Sequence, residues 1–203
     1  EKSLHSLKWD EPWKGGAHAA NLLMLAATQG PFLELLECGS RFFSKIADPE
    51  TGSYYKHIVP NYDQMVNGSM KVLTALEWID SSIHYPEKLI DTTLSRIPMS
   101  EGCHMVDAIY VLYRCSLQTD YRRQEIITYS LYVIKMIQAH YHEKQGAFSY
   151  YLNKSQQWSH SVKVSSGERC PDVHGTVLLT WACAMISKII CSKNADHWNV
   201  LKS

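Results

Sequence analysis

Eight residues of the types that move protons or bind metals stand at or near the starts of four apolar segments: His18, Asn67, Glu101, Cys103, His104, Asp107, Asp172 and His174. Imidazole changes charge near neutral pH and a Tyr beside it can pass a proton, so His18, His104, Asp107 and His174 are the candidate general acids and bases. Trp13, Tyr150, Tyr151 and Trp158 offer polar-tipped rings that stack on sugars, and Asn67 offers a hydrogen-bonding amide. Twelve Tyr and six Trp against four Phe weight the rings toward this polar kind, which suits a glycan better than a carbocation or a prenyl chain. Each candidate also has an ordinary structural role. A lone His is often a hydrogen-bonded core residue, Cys103 a small buried hydrophobe, Asp172 a helix N-cap two residues before His174, and loop aromatics packing against helices.

The elements that must position these groups are helical, because apolar residues recur mostly at helical spacing between Gly, Pro, Asp and Asn. Segments 15–26, 66–76, 101–112 and 172–182 share one design: a Gly at or near the helix start, then a helix apolar nearly all round. Such helices belong inside an assembly. Segments 31–46, 85–97 and 121–140 carry one apolar stripe and one charged face, and read as outer helices. In the last, Asp120 is the expected N-cap and Leu131, Ile134, Ile137 and Tyr141 the stripe. Loops 48–55 and 142–151 each turn on a Gly and end in Ser-Tyr-Tyr, suited to a short extended stretch. Loops also hold Trp9, Trp13, Tyr54, Tyr55, Tyr62 and Trp158 in this scheme. The repeat of inner helix, outer helix and aromatic loop predicts an all-α chain, a single domain over 1–203, folded as an α/α toroid or part of one rather than an open solenoid. Inner helices of a toroid run in parallel, so their starts converge on one mouth whose unpaired N–H groups favour anionic or deprotonated groups.

At these starts the chain resembles the α/α-toroid superfamily of terpenoid cyclases and protein prenyltransferase β subunits. Glu101-Gly-Cys103 looks like the Asp-Gly-Cys that supplies two zinc ligands in the prenyltransferase β subunit, and His174 shortly before Thr176 looks like the third. Gly146-Ala-Phe followed by Asn153-Lys-Ser155 is similar to the stretch preceding that His, and the match covers roughly residues 99–186. The resemblance implies zinc held by Cys103 and His174 with Glu101 or Asp172, and a fourth position open for catalysis. Glu stands where the family has Asp, and the prenyl-diphosphate-binding residues and the acidic motif of the protonating cyclases have no match. The same toroid carries polysaccharide lyases, uronyl epimerases and glycosidases. Acid–base chemistry on a glycan is therefore the leading expectation, followed by a zinc-dependent isoprenoid enzyme and by a non-catalytic domain that binds a partner.

Composition trims the field. Twenty Lys and Arg balance twenty Asp and Glu, which leaves no charge excess for phosphate backbones or anionic lipid. No apolar run approaches the roughly 18 to 20 residues of a membrane span. Six scattered Cys without a CxxC pair read as free thiols in a reducing compartment, so a cytoplasmic placement is expected over secretion. Asn67-Gly-Ser69 and Asn153-Lys-Ser155 match the glycosylation triplet, a pattern common by chance. No phosphate loop, nucleophile elbow, EF-hand or Cys/His protease signature is present. Glycines 16, 68, 102 and 175 stand 52, 34 and 73 residues apart. At that spacing a ring of six hairpins needs about 320 residues, so the expectation is either a ring closed with fewer hairpins or an arc completed by missing N-terminal sequence or by another chain.

Overall fold

The computed structural model describes residues 2–30, 32–159, 161–193 and 195–202, and they are mostly helical. In chain order the elements are α1 (Lys2–His5), α2 (Pro12–Gln29), α3 (Leu33–Ile46), α4 (Tyr62–Trp78), α5 (Pro86–Leu94), α6 (Gly102–Ser116), α7 (Arg123–Gln138), the strands β1 (Tyr141–His142), β2 (Ala147–Phe148), β3 (Trp158–Ser159) and β4 (Val162–Lys163), and α8 (Val173–Ile189). A short 3₁₀ turn follows at Ala195–His197. The all-α expectation holds at this level. Residue Pro31, the expected start of the first outer helix, and Asn194 and Ser203, which bound the expected tail, lie outside the described residues. Among those described, no helix is long and apolar enough to cross a membrane, and none of the six cysteines is in a disulfide.

The chain clusters into two compact units. The first holds the residues up to Arg96, with Arg114–Tyr121 and the end from Leu201; the second holds Ile97–Tyr113 and Arg122–Val200.

In the first unit α2 and α4 are the central pair. Pro12 opens α2, where its missing N–H costs nothing. Asn61 caps α4 by accepting the Gln64 N–H at 3.0 Å, which satisfies a first-turn donor. Both helices start about a turn before their apolar runs, because Pro12 and Asn61 are the stronger start signals. Trp13 and Tyr62 are thus helical rather than loop residues. The glycines 16 and 68 lie within the first two turns and set the approach of the helices. A Cβ on Gly16 would stand 3.0 Å from the Gly68 carbonyl oxygen. Around this pair Trp9, Phe42, Phe43 and Tyr54 form a buried aromatic chain with centroids 5.3 to 6.2 Å apart. Trp9 and Tyr54 lie in loops but pack inward, with the Trp9 indole donating to the Leu4 carbonyl at 2.8 Å. Loop 48–55 is a turn in which the Asp48 carboxylate accepts the Thr51 N–H at 2.8 Å and the Thr51 hydroxyl at 2.8 Å; Ala47 then pairs with Tyr54. Arg114 and Glu77 form an ion pair whose side chains are largely out of solvent.

In the second unit α7 begins later than expected. The residue before its first turn is Arg122 in the left-handed region (φ 51°), without a side-chain cap, so Asp120 does not cap it. Its buried positions are Ile126, Tyr129, Ser130, Val133 and Ile137, while Leu131 and Tyr141 are exposed. The stripe has slid because the helix is entered at Arg123. β1 and β2 pair antiparallel across the Gly146 turn, as do β3 and β4 around Ser161. Tyr110 of α6 and Trp181 of α8 meet with centroids 5.1 Å apart.

A Gly68→Ala chain would place Cβ 2.8 Å from the Pro12 carbonyl carbon and 2.9 Å from the Trp13 nitrogen, both backbone atoms that cannot swing away. The expected loss is about 1–3 kcal/mol in urea denaturation, and an unchanged midpoint would refute this account of the α2–α4 approach.

Candidate functional site

Each expected site residue has a definite place. In the first unit His18 is exposed on α2, Trp13 is half-buried in its first turn, and Asn67 is buried in the second turn of α4, not at its start. In the second unit His104 and Asp107 lie three residues apart on α6, both buried. Glu101 and Cys103 flank Gly102 at the start of α6, and Asp172 and His174 stand at the start of α8. Trp158 is exposed on β3.

The starts of α6 and α8 meet around Tyr150. Its carbonyl accepts the Gly102 N–H at 3.0 Å, and its own N–H is accepted by Asp172 Oδ2 at 2.8 Å. The hydroxyl meets both the backbone N–H and the thiol of Cys103, and burial is the main reason its acidity is suppressed, with Cys103 second. The ring lies 5.1 Å from the His174 ring at 21°, a stacked pair. Both glycines are needed for this approach. A Cβ on Gly102 would sit 2.8 Å from the Tyr150 ring, and one on Gly175 would sit 2.3 Å from the Tyr150 nitrogen. Tyr151 pairs with Glu101 and Lys154 beside it. Tyr150, expected against substrate, is buried with its ring stacked on that of His174.

Asp172 Oδ1 accepts the Gly175 N–H at 2.7 Å, and Oδ2 accepts the N–H groups of Tyr150 and, at 3.1 Å, of Gln156. It is the N-cap of α8 and the anchor of the incoming loop at once. His174 Nδ1 lies 2.5 Å from Gln156 Oε1. An amide oxygen can only accept, so Nδ1 carries the proton and the basic lone pair is on Nε2.

Both residues line an open cleft of about 880 Å³. Its lining mixes apolar Ala147, Val164, Pro171, Val173 and Val177 with polar Gln156, Ser159, Ser165 and Thr176. Among the described residues no Lys or Arg lines it, and neither do Trp13, Tyr150, Tyr151 or Trp158. The four expected stacking rings are absent from the cleft because Trp13 belongs to the first unit, Tyr150 is buried, Tyr151 pairs with Glu101, and Trp158 alternates with Ser159 along β3.

No protein family model, curated protein or solved structure matches this chain.

Zinc, implied by the resemblance, does not fit these donors. Asp172 already accepts three backbone N–H groups, the Cys103 thiol faces the Tyr150 hydroxyl, and no group of three or more His, Cys, Asp and Glu side chains able to hold a metal ion is found among the described residues.

His140 and Ser149 are residues the sequence did not bring forward. His140 is fully buried in a chain of contacts with Ser100 and Ser149, and burial holds its pKa below the ordinary 6.5. Its signal was weak, a lone His at the end of an amphipathic helix.

Two outcomes are expected. Asp172→Ala leaves three N–H groups without their acceptor and should cost about 1–3 kcal/mol in chemical denaturation; stability within 0.3 kcal/mol of the parent, roughly the error of such comparisons, would contradict the cap. His140 titrates lower in the folded chain than in the unfolded one, so the unfolded state takes the proton first. Its contribution is therefore present above pH 6.5 and is lost as pH falls below it; His84, shifted down by burial, adds to the same trend. Urea midpoints should drop from pH 7 to pH 5, and His140→Gln should flatten part of that slope.

Proposed function

We propose that this chain is an α/α-toroid enzyme of carbohydrate-active type, in which His174 acts as a general base on an uncharged sugar bound in the cleft at the start of α8. The observation that carries the reading is the fixed tautomer of His174: Gln156 holds Nδ1, Tyr150 supports the ring face, and Nε2 is the basic atom. A base held by two neighbours at the rim of a cleft meets the geometric need of proton abstraction. The mixed lining suits a sugar, which has hydroxyls for Ser159, Ser165, Thr176 and Gln156 and C–H groups for the valines and Pro171.

Within that class, epimerisation is favoured. Glycoside hydrolysis uses two carboxylates some 5 to 10 Å apart, and among the described residues the cleft holds one, Asp172, engaged by backbone. Uronate chemistry calls for a cation near the sugar carboxylate, and the described lining has no Lys or Arg. His174 would take the proton from the carbon next to the carbonyl of an open-chain sugar and return it to the other face. Tyr150 supports the ring, and its hydroxyl, held at Cys103, is not the proton donor. The toroid supplies the frame in this reading: repeated helix pairs with aromatic loops that bring two inner-helix starts together.

A second reading, a non-catalytic domain covered by a partner chain, is favoured by the cleft lining, where Val164, Val173 and Val177 are all more than half exposed. The isoprenoid reading retains these apolar lining residues in its favour.

The test is solvent-deuterium incorporation into uncharged aldoses, ketoses and N-acetylated sugars, followed by mass spectrometry. Exchange at the carbon beside the carbonyl is expected, falling on the order of 10²- to 10⁴-fold in His174→Gln. Exchange unaffected by that change, or no exchange with any sugar while light scattering shows a stable dimer, would overturn the proposal in favour of the partner-binding reading.

A further inference from the structure

We propose that Ser100 and His140 form a nucleophilic serine dyad in the second unit, a site separate from the His174 cleft, that accepts an acyl or phosphonyl group from an activated ester-type donor. Ser100 Oγ lies 2.9 Å from His140 Nε2, and His140 Nδ1 lies 2.9 Å from the Ser149 carbonyl oxygen. A carbonyl oxygen only accepts, so the imidazole proton is on Nδ1 and the Ser100 hydroxyl donates to Nε2. This is the nucleophile, base and orienting acceptor of covalent catalysis, with a main-chain carbonyl in the third place.

The arrangement is rigid on the base side and open on the hydroxyl side. His140 is 0% exposed and Ser100 is half-buried, so solvent and reagents reach the serine rather than the imidazole. The Ser149 N–H donates to the His140 carbonyl at 3.0 Å, which closes a ring of two hydrogen bonds between the residues. Ser149 Oγ donates to the Tyr151 carbonyl at 2.8 Å and meets His142 Nε2 at 3.1 Å. Burial lowers the pKa of His140, the hydrogen bond to the Ser149 carbonyl opposes this, and the neighbouring His142 adds to the lowering. Ser100 directly precedes Glu101, whose carbonyl accepts the Met105 N–H at 3.1 Å in the first turn of α6. An oxyanion formed at Ser100 would lie ahead of the positive end of that 15-residue helix, with the Glu101 carboxylate as the opposing charge.

The step balances without a further reagent. Oγ attacks the carbonyl carbon or phosphorus, its proton passes to His140 Nε2, and the leaving group departs with that proton. Water attacking by the reverse route restores Ser100.

The experiment treats the full folded chain with a fluorophosphonate. The Oγ–P bond forms and fluoride leaves, and peptide mapping locates the adduct. Ser100 is expected to react on the order of 10²-fold faster than in the urea-unfolded chain. Ser100→Ala should remove the main adduct, while Ser149→Ala, which keeps the carbonyl, should retain it. The rate should rise with a single midpoint below the ordinary histidine 6.5 and then level off, a profile measured on the unaltered chain. No adduct at Ser100 in the folded chain, or a rate that keeps climbing with hydroxide through about pH 9 as an unassisted hydroxyl does, would overturn the dyad and leave a structural hydrogen bond.

Discussion

Much of the second unit depends on one close approach: the backbone of Tyr150 passes between the starts of two helices at distances that tolerate no side chain. Gly102 and Gly175 give the space, and Asp172 supplies the attraction by accepting N–H groups from its own helix and from the incoming loop. The carboxylate thus offsets two costs together, the orphan donors of a helix start and the desolvated amides of a buried loop. Everything chemical nearby follows from that clasp. His174 is held over the Tyr150 ring because residue 174 sits in the first turn after the cap. The Tyr150 hydroxyl reaches Cys103 because Gly102 lets the ring in.

The first unit solves its own approach by the same means. Gly16 and Gly68 let α2 and α4 pack near their starts, and a buried aromatic chain fills the space beside them. The glycines that marked the apolar segments are therefore contact points rather than helix signals. They fall inside α2 and α4 but near the edge of α6 and α8, where Gly102 meets the Tyr150 ring and Gly175 the backbone of Ser149 and Tyr150.

Legibility in the sequence followed the range of the forces involved. The seven long helices were visible because period and capping are local; the start of α8 with its Asp172 cap was legible to the residue, while the helix runs on past the expected 182 to Ile189. The α7 entry was not, since Asp120 is a good cap by type and only the left-handed turn at Arg122 displaces it. Of the site, His174, Asp172, Cys103 and Tyr150, named from the sequence as acid–base, metal and stacking candidates, lie in one neighbourhood. Whether a carboxylate binds metal or caps a loop depends on which amides face it, and two of those come from residues 16 and 22 positions away in the chain. A ring in a loop is as useful for sealing the loop onto the core as for meeting a ligand, and the sequence does not separate the two uses; Trp9, Tyr54 and Tyr150 are buried.

His140 is oriented by a main-chain oxygen rather than by a side chain. Changing the residue at 149 alters a side chain and leaves that acceptor where it is. An arrangement of this kind has two recognisable letters in place of three, set 40 positions apart, and its third member is written in the path of the backbone. It survives drift at the orienting position, and a comparison of sequences alone has nothing there to align.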